Sequence, residues 1–149
     1  MSERLRRLLD EEEREWEALH GLLDEIAPER LSDPRIPPDG WSAKDVMFHV
    51  GAWLADAGRT LEQIRFGTFT GEESDIDELN RQWFALSQRL DAQTCRAEME
   101  ASRARCRAEL AALESVTAQA QEWFEEAGAL HYRKHVKDLL DWVVPEGHP

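Results

Sequence analysis

Five residues late in the chain, HYRKH, place His131 and His135 four positions apart. In a helix that spacing leaves the two imidazoles about 40° apart around the axis and one turn apart along it, so both can reach one ion. Alone, the pair has two readings: a solvated or capping pair, or two ligands waiting for a third. The intervening Tyr132, Arg133 and Lys134 fall on other faces of the helix. His49 is a candidate third imidazole. It stands about 60° from the centre of its own helix's apolar stripe, so it can point between helices and not straight into hydrocarbon. Read by itself, it would be a satisfied histidine at the rim of a core. A divalent ion on three neutral imidazoles keeps one or more positions open, as catalytic sites do. Histidine nitrogens suit zinc, nickel, iron or copper and disfavour magnesium or calcium. Such an ion lowers the pKa of water or of a thiol, which is a way of making a nucleophile near neutral pH. Because ligating imidazoles must be neutral, metal affinity is expected to fall as pH drops below about 6.5.

These side chains need elements to hold them. From Ser2 to about Ala27, Leu5, Leu8, Leu9, Trp16, Leu19, Leu23 and Ile26 recur at three- and four-residue steps on one helical face. Glu12 lies inside that stripe and His20 at its edge, as a snorkelling acid and a rim histidine or as further members of an interior polar site. SDPRIPPDG, with its three prolines, stops this helix. A second begins at WSAKD, where Ser42 is placed to cap and Asp45 follows three residues on; Val46, Val50, Trp53, Ala57, Leu61 and Ile64 form its stripe. Gly51, Ala55 and Gly58 make a strip of small residues on the other side, suited to close packing by another helix of this chain or of a second subunit. In the third stretch Ile76, Leu79, Trp83, Ser87 and Leu90 share a face with Asn80, which needs a partner if buried. A kink over Asp91–Thr94 can split that helix, which goes on with Cys95, Met99, Ser102, Cys106, Leu110 and Leu113 inward. A loop and short turn through Trp123 and Phe124 lead to the last helix, Ala129 to about Val144, ended by Pro145 and Gly147. The expectation is an all-α protein: one domain over residues 1–149, built as a four-helix bundle with the third helix kinked or split.

The chain has 149 residues, with 31 acids against 18 bases and a formal charge of -13. That charge repels phosphate backbones and anionic lipid. The nearest basic cluster, Arg103, Arg105 and Arg107, is flanked by Glu98, Glu100 and Glu109, so neither nucleic acid nor membrane is expected as a partner. The N-terminal MSERLRRLLDEEE lacks a signal peptide's apolar run, and nowhere do about eighteen apolar residues follow one another. A cytoplasmic protein is expected. Cys95 and Cys106 lie roughly 16 Å apart along one helix, beyond disulfide reach, and read as reduced core thiols.

Three segments, GWSAKDVMFHV, DIDELN and LHYRKHVKDLLDW, resemble the DinB-like metal-binding four-helix bundles. That superfamily includes bacillithiol- and mycothiol-dependent transferases and relatives of maleylpyruvate isomerase. The resemblance implies an up-down-down-up bundle in which His49, His131 and His135 bind a divalent metal, zinc or nickel first among candidates. It also implies a homodimer acting on a small molecule. The leading functional expectation is transfer of a low-molecular-weight thiol, bacillithiol or mycothiol, to an electrophile, with hydrolysis as a variant. Trp41, Trp53, Asn80, Trp123 and Tyr132 are expected to line the substrate opening, from their nearness to the motifs along the helices. The competing expectation is a non-catalytic bundle that binds a small molecule or a partner protein, with a structural ion or none.

Overall fold

Ser2 accepts a hydrogen bond from the Leu5 amide at 3.1 Å and opens α1, Glu3–Asp24. The computed structural model describes residues 1–37, 39–72 and 74–143, so the helix stop expected at Val144, Pro145 and Gly147 lies outside the described residues. Leu5, Leu8, Trp16, Leu19 and Leu23 of α1 are buried, and so is Glu12 between them. After a single 3-10 turn, Pro28–Arg30, the proline-rich connector closes on itself where the Ile36 amide donates to the Trp41 carbonyl at 3.0 Å. Among the described residues that isolated bridge is the nearest approach to β structure.

The start of α2, Ala43–Phe66, is fixed from both sides. The Asp45 amide donates to Ser42 Oγ at 3.1 Å, and the Ser42 amide donates to Asp45 Oδ2 at 3.0 Å, the reciprocal pair that the Ser-x-x-Asp spacing predicts. Its end is set by Gly67, whose φ of 72° lies in the left-handed region where a side chain is strained.

The expected third helix is two helices. α3, Ile76–Ser87, is capped by Asp75, and α4, Ala92–Ala111, is capped by Asp91 in extended geometry, with the Thr94 amide donating to its side chain at 2.8 Å. An aspartate placed to accept from the third helical amide starts a helix better than it continues one. Of the face expected for the third stretch, Ser87 is buried and Leu79, Asn80, Trp83 and Leu90 are half-buried, while Ile76 in the first turn of α3 is exposed.

The expected loop and short turn through Trp123 and Phe124 are instead a ten-residue helix, α5, Ala118–Ala127. Thr117 caps it by accepting from the Ala120 amide, and Gly128 ends it before α6, Ala129–Val143. Among the described residues there are six α-helices and one 3-10 turn, where four main helices were expected with the third kinked or split.

α2 packs along α4, and α1 packs on α6. The Gly51 strip serves the first of these contacts. A β-carbon at Gly51 would stand 2.9 Å from Met99 Cα, and one at Gly58 3.5 Å from Cys106 Cα. The small residues thus admit a helix of the same chain. Cys95, Met99, Cys106 and Leu110 are fully buried on the α4 side of that seam.

Candidate metal centre

His49 on α2 meets His131 and His135 on α6. His49 Nε2 lies 3.0 Å from His131 Nε2, and His135 Nε2 lies 3.0 Å from the same atom. The three ligand atoms all fall within 4.8 Å of one another. Two full two-centre hydrogen bonds do not account for this convergence. An imidazole nitrogen has one in-plane position, occupied either by a proton or by a lone pair. His131 Nε2 therefore cannot donate to one neighbour while accepting from the other.

Three ring nitrogens gathered within 4.8 Å of one another suit a cation. Two nitrogens each about 2.0–2.1 Å from one ion stand about 3 Å apart when the angle between their bonds is near 90°, in agreement with the observed spacing. The three side chains fit a divalent ion in this respect and in their donor chemistry.

The rings are held neutral. Burial, followed by the neighbouring His135 and Lys134 charges, pushes His49 down to about 3. Burial, then Lys134, pushes His135 down to about 4. His131 is lowered well below the usual imidazole value by burial and by the two other histidines. As a residue His131 keeps partial exposure, but its Nδ1 is wholly buried and makes no formed hydrogen bond; the Ala127 carbonyl opposes the lowering only weakly. His49 Nδ1 is likewise buried without a partner. A cation at the Nε2 side is consistent with protons on these inner nitrogens.

Beside His49 lies a tight crevice with no room for a water molecule, bordered by Trp41, Asp45, Phe48, His49, Asn80, Trp83 and Phe84. Trp41 meets the His49 ring edge-on at 4.9 Å and stacks on Phe84 at 5.9 Å. Asp45 is already engaged on both oxygens: its Oδ1 accepts from Ser87 Oγ (2.8 Å) and Gln88 Nε2 (2.7 Å), and its Oδ2 accepts from the Ser42 amide (3.0 Å).

Of the five residues expected to line a substrate opening, Trp41 and Asn80 border the crevice beside His49. Trp53 stands behind, donating from Nε1 to Asn80 Oδ1 at 3.0 Å and meeting Trp83 edge-on. Trp123 is on α5 against Phe69, and Tyr132 is fully buried with its hydroxyl on Glu12. Nearness along a helix placed Tyr132 beside His131, but the 100° step between neighbours turns it to the opposite interior. Phe48 and Phe84 were missed; the signal for Phe84 was its position one turn beyond Asn80.

Glu12 and His20 stay out of the centre. Glu12 is 1% exposed and accepts from Arg103 Nε and Nη2 (2.8 Å each), Arg107 Nη1 (2.6 Å) and Tyr132 Oη (2.8 Å). His20 lies at the rim between Asp24 and Glu100. A larger surface cavity of about 190 Å³, lined by Arg4, Ala118, Gln121, Glu122, Glu125 and Glu126, carries none of the three imidazoles.

An all-helical chain with three histidines converging from two helices belongs to a recognisable class. The sequence profile of the DinB superfamily matches residues 11–144, and the chain belongs to that superfamily. No curated protein and no solved structure matches it significantly.

Proposed function

We propose that the protein is a metal-dependent enzyme in which His49, His131 and His135 hold a divalent cation, zinc or nickel, and which transfers a low-molecular-weight thiol such as bacillithiol or mycothiol to a small electrophile. The observation that carries this reading is the meeting of three neutral Nε2 atoms at hydrogen-bond distance, with no proton arrangement that gives both contacts of His131 Nε2 a two-centre hydrogen bond. When bound, the cation supplies Lewis acidity, which favours the ionised form of a thiol or, in the hydrolytic variant, of water. The chain's own side chains do the rest. Burial keeps the imidazoles unprotonated, so they ligate without first losing a proton. Trp41 and Phe84 cover the His49 side and limit the access of bulk water. In this reading α1, α2, α4 and α6 are the four long members of an up-down-down-up bundle forming one domain, and α3 and α5 are additions to it. The protein works as a cytoplasmic homodimer on a small molecule, with no nucleic-acid or membrane partner. No helix among the described residues is long and apolar enough to cross a membrane.

Elemental analysis of protein purified without a histidine tag tests the centre. Near one ion per chain is expected in the wild type, and its loss in His49→Ala; fewer than about one ion per ten chains after reloading would refute the proposal. A conjugation assay with bacillithiol and mycothiol then tests the chemistry. Equal rates for wild type and His49→Ala would remove the catalytic role.

A further inference from the structure

His131, Tyr132 and His135 lie within five residues of α6 and turn with it as one rigid body. Around the axis Tyr132 stands about 100° from His131 and about 60° from His135. The two imidazoles meet His49 of α2, while the Tyr132 hydroxyl donates to Glu12 Oε2 of α1 at 2.8 Å. That carboxylate is itself clamped from α4, by the fork of Arg103 with both nitrogens at 2.8 Å and by Arg107 at 2.6 Å. α4 packs along α2, so the hydroxyl ties α6 to the frame that holds His49. Gly128, directly before α6, admits the close approach: a β-carbon there would stand 3.5 Å from Glu12 Cγ and 2.8 Å from the Phe124 carbonyl oxygen.

Apolar packing is non-directional and sets the rotation of a helix only loosely, whereas a hydrogen bond demands a distance and an angle. Apart from Tyr132 and His135, the buried side chains of α6 among the described residues are Ala129 and Leu139, both apolar. The other side-chain hydrogen bond from α6 to α1, Arg133 to Glu15 at 3.1 Å, is exposed. Rotation matters to the imidazoles because side-chain tips stand roughly 5–6 Å from a helix axis, so a turn of about 10° carries a ring nitrogen about 1 Å. Metal–ligand distances tolerate only about 0.2 Å.

We propose that Tyr132 is a positioning residue for the three-histidine centre: its hydroxyl, fastened to the arginine-clamped Glu12, sets the rotation of α6 and so directs His131 and His135 at the point that His49 faces. Tyr132 touches no ion and no substrate in this role. The proposal rests on the metal-enzyme reading for the presence of an ion, and not for the placement of the rings.

Tyr132→Phe keeps the ring and removes only the hydroxyl. Zinc affinity of the folded full chain, measured by competition with a chromophoric chelator, should fall about tenfold, as losses of outer partners of a metal site do. The visible spectrum of the cobalt(II) form, which reports coordination geometry, should change with it. A hydroxyl that served stability alone would leave both readings of folded protein where they were. Arg103→Lys, which reaches the centre only through Glu12, should weaken zinc severalfold and carries the test if Tyr132→Phe does not fold. Arg133→Ala, which removes the exposed contact to Glu15, should leave the affinity unchanged. In metal-free protein, nuclear Overhauser contacts from the His49 ring to those of His131 and His135 should be present in the wild type and weaken in Tyr132→Phe. Wild-type zinc affinity and unchanged ring contacts in Tyr132→Phe, or an equal loss in Arg133→Ala, would overturn the proposal while the metal reading stood. Failure of the metal reading has a different signature: no ion bound by the wild type, with ring contacts that still depend on the Tyr132 hydroxyl.

Discussion

At the scale of single residues, protonation links the candidate centre to stability. Imidazoles held at about 3 and 4 in the folded chain take up protons near 6.5 once unfolded. Between those limits the unfolded state binds more protons, so stability falls as pH falls, by up to about 1.4 kcal/mol per pH unit for each ring. Metal-free protein should melt at a clearly lower temperature at pH 5 than at pH 7, and His131→Leu should flatten that dependence; an unchanged slope in the variant would show that other groups cause it. The same depression moves proton competition for a metal below the pH 6.5 expected from free imidazole. The cysteines behave oppositely. Burial raises Cys95 to about 11 and Cys106 to about 12, so both should resist maleimide in native protein and react on unfolding, with the modification read by mass spectrometry. The histidine spacing was legible because four residues in a helix fix a direction. The crevice was legible only in part, since Phe48 precedes His49 on α2 but Phe84 joins the crevice only through the way α3 folds across α2.

At the scale of elements, the caps and the inward faces of the long helices were readable, and the short α5 was not. Ser42 and Asp45 announce the start of α2, whereas Thr117 and Gly128 bracket α5 inside a stretch that reads as a turn when only long apolar stripes are sought. A ten-residue helix has room for little more than Ala120, Phe124 and Ala127 on its buried side, too short a period to stand out. The glycine seam allows a paired test. Gly51→Ala should destabilise by about 1–3 kcal/mol, because the new methyl would meet the α4 backbone and outweigh the helix-propensity gain. Gly58→Ala, with ordinary contact distance to Cys106, should be neutral or stabilising by up to about 1 kcal/mol. Urea denaturation of the two variants checks the order, and the reverse order would show that α4 can slide away from Gly51.

At the scale of the whole molecule, Glu12 ties three helices together, α1 to α4 through Arg103 and Arg107 and α1 to α6 through Tyr132. Glu12→Ala should cost about 3–5 kcal/mol by leaving buried partners uncompensated, and Tyr132→Phe about 1.5–3 kcal/mol for a hydrogen bond to a charged group. Chemical denaturation of the two single variants and the double variant measures their coupling, and additive losses would mean that the hydroxyl and the carboxylate do not act as a pair. The sequence shows Arg103, Arg105 and Arg107 as a small basic cluster, but two of the three guanidiniums turn inward to Glu12 and Arg105 approaches Glu62. Only the fold reveals that, because Glu12 lies more than ninety residues earlier in the chain. Tyr132 is 120 residues from Glu12, and its two neighbours in the same helix, His131 and His135, are two of the three imidazoles. During synthesis from the N-terminus, α1, α2 and α4 thus leave the ribosome before the element that completes both the ion-pair network and the histidine cluster. Contacts of such long sequence separation slow folding and leave a waiting interval in which Glu12 has no hydroxyl partner and His49 stands alone.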